Sequence, residues 1–240
     1  MIKAKSYIIL LALASLSSCS DEYLEARRSV PLSPFTTTEI HSVFSVYLVQ
    51  DNFYGVEIVA DDDIINQIDA TVQGDVLTLV DNRSVKWTTP ESNEIKIYVH
   101  SPDHGTVDAH STYSLYSVNA ITSDLVIFHQ PNVRFSEIDL TLDNNSFYYW
   151  NNYMCGGKLT LRGTCGSFEI NNYALHQVNA SELTAQSGLV NTYAKADCWV
   201  NVTGQFTYRL HGQGNIYVYG NPNELIMQEH TSSGRLIRVN

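Results

Sequence analysis

The chain has 240 residues, with 25 acidic against 14 basic side chains, a formal net charge of −11 and a pI near 5.0. A nucleic-acid binder needs a basic stripe to neutralise phosphates, so that class is excluded. Apolar residues at 44% of the chain exclude disorder, and charged residues at 16% beside 15 Tyr imply a surface rich in neutral polar groups.

At the N-terminus, Lys3 and Lys5 precede an apolar run over 8–14. That run is too short to span a bilayer and has the size of a secretory signal core. Leu16-Ser17-Ser18-Cys19 resembles the lipobox of bacterial lipoproteins, in which the Cys becomes lipidated. Residues 1–18 are therefore read as a signal peptide, Cys19 as the lipid-bearing residue, and 19–30 as anchor and tether. Multiple acylation at Cys19 would hold the protein on a membrane, since each buried methylene contributes about 0.8 kcal/mol. Ser20-Asp21-Glu22 is acidic and resembles the export tags of surface lipoproteins in the Bacteroides group, which points to the outer membrane.

Residues 31–240 read as one all-β domain, with a β-rich part over 31–105 and a repeating part over 106–240. Short runs over 43–49, 54–60, 76–80 and 94–99 alternate in polarity and end at Gly, Asn, Asp or Pro, as strands between turns do. One helical turn is expected over 61–68, where Ile64, Ile65 and Ile68 share a face. Asp61-Asp62-Asp63 would sit at its N-terminal end; the spaced oxygen ligands of a calcium loop are missing. His100, His104, Asp108 and His110 lie close in sequence, and Asp108 and His110 can share a strand face. Pro102 and Gly105 make this segment a turn without a tight ligand pair, so no metal site is expected.

Beyond residue 105 the chain repeats. Trp150-Asn151-Asn152-Tyr153 recurs 20 residues later as Ile170-Asn171-Asn172-Tyr173, and 20 later again as Val190-Asn191-Thr192-Tyr193. Leu236-Ile237-Arg238-Val239 follows Ile216-Tyr217-Val218-Tyr219 at the same interval, and Leu115-Tyr116-Ser117-Val118 stands as the earlier counterpart. A repeat of this length without helical period fits one coil of a parallel β-solenoid, in which like side chains stack about 4.8 Å apart. Trp150, Ile170 and Val190 are expected inside. Asn151, Asn171 and Asn191 would form an outward ladder, and Tyr153, Tyr173 and Tyr193 a second one. Cys155, Cys165 and Cys198 fall out of this frame, so no disulfide is expected among them.

Gly212-Gln213-Gly214-Asn215-Ile216-Tyr217-Val218-Tyr219-Gly220-Asn221-Pro222 resembles the closing signature of the putative auto-transporter adhesin, head GIN domain family. Phe35, Ile40 and the run Phe44-Ser45-Val46-Tyr47-Leu48-Val49-Gln50 are similar to its N-terminal part. The resemblance covers about residues 30–240. The middle repeats depart from the family's Gly-Ser-Gly, with Asp143-Asn144-Asn145-Ser146, Gly163-Thr164-Cys165-Gly166 and Ala185-Gln186-Ser187-Gly188 in its place. The family implies a right-handed parallel β-helix-like fold at the cell surface or in the periplasm, and it brings no catalytic residues.

In the 20-residue frame Glu169 stacks on Tyr149 and Leu189, and Asp143 on Gly163, so no paired acids arise for glycosidic cleavage. No phosphate-cradling loop and no Gly-x-Ser-x-Gly elbow is present, and no cofactor is expected. The reading is a noncatalytic, lipid-anchored envelope module for binding or adhesion, with surface glycan or a partner protein as ligand. Its candidate contacts are Asn151, Tyr153, Asn171, Tyr173, Asn191 and Tyr193, since amides beside flat rings suit either ligand. The alternative is a polysaccharide-acting enzyme or accessory factor on the same scaffold.

Overall fold

The computed structural model describes residues 25–84, 94–151 and 154–239. The signal peptide, Cys19 and Tyr153 lie outside the described residues. The first strands are β1 (Glu25–Pro31), β2 (Thr37–Ile40), β3 (Phe44–Gln50), β4 (Gly55–Asp61), β5 (Ile68–Gln73) and β6 (Val76–Asp81). Then come β7 (Lys96–Ser101), β8 (Thr106–Ala109), β9 (Tyr113–Ser117) and β10 (Leu125–His129). Four long strands follow: β11 (Phe135–Asn151), β12 (Gly156–Asn172), β13 (Leu175–Thr192) and β14 (Cys198–Leu210). The chain closes with β15 (Ile216–Tyr219), β16 (Glu224–His230) and β17 (Leu236–Arg238).

All seventeen strands join one continuous sheet that winds on itself as a parallel β-solenoid. Each long strand serves two faces of the coil. The first halves of β11 to β14 continue β7, β3 and β9 and lead to β15 and β17. The second halves continue β6, β2, β8 and β10 and lead to β16. The N-terminal end is closed by antiparallel pairs, β4 on β7, β1 on β4 and β5 on β6. Such a cap covers a coil that would otherwise leave a strand edge unpaired.

Strict alternation builds the core. On the first face Val46, Leu115, Ile138, Leu159, Val178, Cys198 and Ile216 form one inward column, all buried. On the second face Ile127, Tyr149, Ile170, Val190 and Tyr208 form another. Cys155, Cys165 and Cys198 are buried free thiols.

Four sequence expectations are corrected by the structure. Tyr149, not Trp150, lies opposite Ile170, an offset of 21, so Tyr149 enters the core and Trp150 faces out. The cause is the connection between β11 and β12, longer than the one between β12 and β13. Leu115 pairs with Ile138 on the first face instead of preceding the Trp150 segment on the second. The stretch read as tether is already a strand from Glu25, because β4 offers it a hydrogen-bonding edge. The turn expected over 61–68 narrows to a 3-10 turn at Ile65–Gln67, with Ile64, Ile65 and Ile68 buried beneath it.

Candidate binding surface

The expected amide ladder exists in part. Trp150, Asn171, Asn191 and Arg209 form one row on the outside of the second face. Asn171 and Asn191 are nevertheless only 5% and 4% exposed. Asn171 Nδ2 donates to Glu169 Oε1 at 2.7 Å, while Asn191 Nδ2 donates to Asn171 Oδ1 at 3.3 Å and to the Tyr173 hydroxyl at 2.8 Å. These amides bind the coils to one another and present little to a ligand. The rings remain available: Tyr173 and Tyr193 are 38% and 48% exposed and stack at 5.1 Å, and His211 extends the stack at 4.3 Å.

Asn151 departs from the expected ladder altogether. The 21-residue offset places it opposite Asn172, inside the coil and fully buried. Its Oδ1 accepts the backbone N–H groups of Tyr173 and Ala174 at 2.8 and 3.2 Å. Its Nδ2 faces Asn172 Oδ1, His176 Nδ1 and the Tyr149 hydroxyl at 2.9, 2.9 and 3.1 Å. Nearby, His129 Nε2 meets the Tyr113 hydroxyl at 2.8 Å and its Nδ1 lies 3.7 Å from Cys155 Sγ. An apolar coil thus carries a satisfied polar seam through its middle.

His129, Cys155 and His176 bring ligand atoms within 4.8 Å of one another, a spacing that invites a metal. The hydrogen bonds oppose one. Asn151 Oδ1 is fixed by two backbone donors, so its Nδ2 donates to His176 Nδ1 and the other ring nitrogen must carry the proton. That Nε2–H then donates to Ser136 Oγ at 2.8 Å, leaving His176 no lone pair to give. Burial pushes the Cys155 thiol up to about 11, away from the thiolate a metal would take.

The same burial makes the fold acid-sensitive. Desolvation lowers His129 to about 3 and His104 and His176 to about 4. Unfolded histidines titrate near 6.5, so between about pH 6.5 and 4 the unfolded chain binds protons that the folded chain refuses. The contribution of the neutral rings is present above pH 6.5 and lost as pH falls toward their folded values. Denaturant titrations across this range should show stability falling with acid, and His129→Gln should reduce that slope by about 1.4 kcal/mol per pH unit. An unchanged slope would contradict the buried neutral ring.

A larger aromatic feature lies on the first face. Tyr98, Tyr47 and Tyr116 occupy one outward row on β7, β3 and β9, with ring centroids 4.7 and 5.2 Å apart. The row continues through Asp139, Thr160 and Asn179 to Trp199 and Tyr217, which stack at 5.5 Å and 10°. Eight strands at about 4.8 Å give a row of roughly 34 Å along the solenoid. Beside the tyrosines an open groove of about 550 Å³ is floored by the three rings and walled by Val118, Asp139 and Arg162. Burial, with Glu94 next, raises the Tyr47 phenol above its usual range, so it remains a hydrogen-bond donor. Arg162 is held by Asp139 on one side and by Glu182 Oε2 at 3.2 Å on the other.

Comparison with known proteins matches the sequence to a family. The sequence profile described as putative auto-transporter adhesin, head GIN domain, matches residues 34–222. The chain belongs to that family. Among solved structures, this head GIN protein is similar to a putative adhesin from Bacteroides fragilis at 18% identity and TM-score 0.77, covering 90% of this chain and 97% of that one. A putative adhesin from Parabacteroides distasonis matches at 13% identity and TM-score 0.64, covering 91% and 98%. A protein from the same organism named a putative lipid binding protein matches at 14% identity and TM-score 0.55, covering 90% and 97%. At such identities these likenesses speak to the fold alone. No curated protein matches the chain. No helix among the described residues is long and apolar enough to cross a membrane.

The head GIN scaffold therefore presents two aromatic rows. In the first, Arg162 stands between Asp139 and Glu182, so the acids nearest the groove are already paired. What the groove offers is ring faces, phenolic hydroxyls and one guanidinium, a set suited to a neutral polar ligand with flat apolar faces.

Proposed function

We propose that this protein is a noncatalytic binding module of the cell envelope, tethered by lipid at Cys19 to the outer membrane, that takes a polysaccharide along the first face. The observation that carries the reading is the Tyr98–Tyr47–Tyr116 stack beside the groove at Arg162. Sugar rings have apolar faces that pack on aromatic rings and hydroxyls that bond to paired charged groups. A row set parallel to the coil axis suits an extended chain more than a compact ligand. The exposed Tyr173–Tyr193 pair on the second face, backed by His211, is the subsidiary contact, and the buried amides Asn151, Asn171 and Asn191 serve the coil instead.

The test is affinity electrophoresis and glycan-array binding with the full chain in detergent. Tyr47→Ala and Tyr116→Ala are each expected to weaken retention roughly tenfold, as loss of one stacked ring predicts. Retention that is absent, or that survives both substitutions together, overturns the glycan reading.

A further inference from the structure

Two strands of the second face bear one three-residue pattern, an acid, an apolar residue and a histidine. Glu39-Ile40 closes β2 with His41 directly after it, and Asp108-Ala109 closes β8 with His110 directly after it. These strands are parallel neighbours, with Glu39 opposite Asp108 and Ile40 opposite Ala109. Ile40 and Ala109 are buried, so alternation turns all four polar side chains outward. The His41 and His110 rings stack with centroids 4.2 Å apart and 14° between planes. Glu39 Oε2 stands 2.9 Å from His41 Nε2, and Asp108 Oδ2 stands 3.6 Å from His110 Nε2. Ligand atoms of Glu39, His41 and His110 all lie within 4.8 Å of one another. His110 Nε2 is shielded from solvent and has no hydrogen-bond partner among the described residues.

We propose that Glu39, His41 and His110, with Asp108 as the fourth ligand, hold a divalent transition-metal ion of the zinc or copper(II) type. Two imidazole nitrogens with carboxylate oxygens form a donor set such ions accept, whereas calcium and magnesium take oxygen ligands. Ligand atoms around zinc sit about 2.0–2.2 Å from the metal, so the four side chains must draw together. Their side chains are 22–35% exposed, and the two rings must tilt out of their 14° stack to aim both Nε2 lone pairs at one ion. Gln130 Nε2 donates to both Asp108 oxygens at 2.9 and 3.1 Å and aims the carboxylate. Such a supporting contact is what metal ligands ordinarily have. The ion answers the orphaned His110 nitrogen, and it replaces the reading of Asp108 and His110 as loop residues without a ligand partner. It stands independently of the tyrosine row, which lies on the other face.

The test is calorimetric titration of the full chain in detergent with zinc chloride, and electron paramagnetic resonance with copper(II). One equivalent is expected at low micromolar concentration, with coupling to two nitrogens in the copper spectrum. His41→Ala and His110→Ala should each weaken zinc binding by about 10- to 100-fold, while His230→Ala leaves it unchanged. Circular dichroism verifies that each variant is folded, and His41→Gln and His110→Gln serve if an alanine variant is not. Wild-type zinc binding in the doubly substituted chain, binding weaker than about 100 μM, or a copper spectrum with other than two nitrogens overturns the site.

Discussion

Asn151→Ala should lower the unfolding free energy by about 4 kcal/mol and the melting temperature by roughly 10 °C. The residue is fully buried, and truncation strips partners from several groups at once. The backbone N–H groups of Tyr173 and Ala174 lose their acceptor, and His176 Nδ1 loses its donor. Each buried group left unpaired costs about 1–3 kcal/mol. Tyr173→Ala, which removes a partly exposed ring from the same turn, should cost far less. Calorimetry of both variants checks the contrast. A loss below about 1 kcal/mol for Asn151→Ala would show that the seam is not a working network.

Gly157→Ala should be more severe, leaving little folded protein. Gly157 has φ +147°, and a Cβ there would lie 1.9 Å from the Ser136 carbonyl oxygen and 2.8 Å from His176 Nε2. The obstacle is backbone of the neighbouring coil, which cannot withdraw without breaking the β11–β12 ladder. Backbone strain of about 1–3 kcal/mol adds to the clash. The adjacent Gly156 makes the control, because a Cβ there meets nothing within 4 Å. Gly156→Ala should express and melt nearly as the parent does. Equal yields from the two variants would contradict the packing at this coil junction.

Much of this architecture is written in local patterns. The runs over 43–49, 54–60, 76–80 and 94–99 announce β3, β4, β6 and β7 because each alternates over a buried face. The recurrence of Asn and Tyr identifies the stacked coils of β12 and β13, where Ile170 and Val190 do sit opposite each other. What local patterns miss is register. The longer connection after β11 moves Asn151 from the outside to the core, and bulges near Thr160–Arg162 and Ala180–Thr184 change the offset again. The tyrosine row is hidden for a related reason. Tyr47 meets Tyr98 and Tyr116 across a chain that first leaves to build β4, β5 and β6, so no fixed interval relates the three. Glu39 and His41 likewise meet Asp108 and His110 only through the pairing of β2 with β8. Asp108 and His110 were visible as a pair; their partners were not.

The parallel stacking of β11 to β14 has an evolutionary corollary. Each of these windings leans on the one before and the one after, and hardly at all on more distant ones. Descendants can therefore gain or shed a whole winding without redesigning the remainder. Each such event would lengthen or shorten the outward row of the first face by one strand spacing, so the length of that face is adjustable in discrete steps.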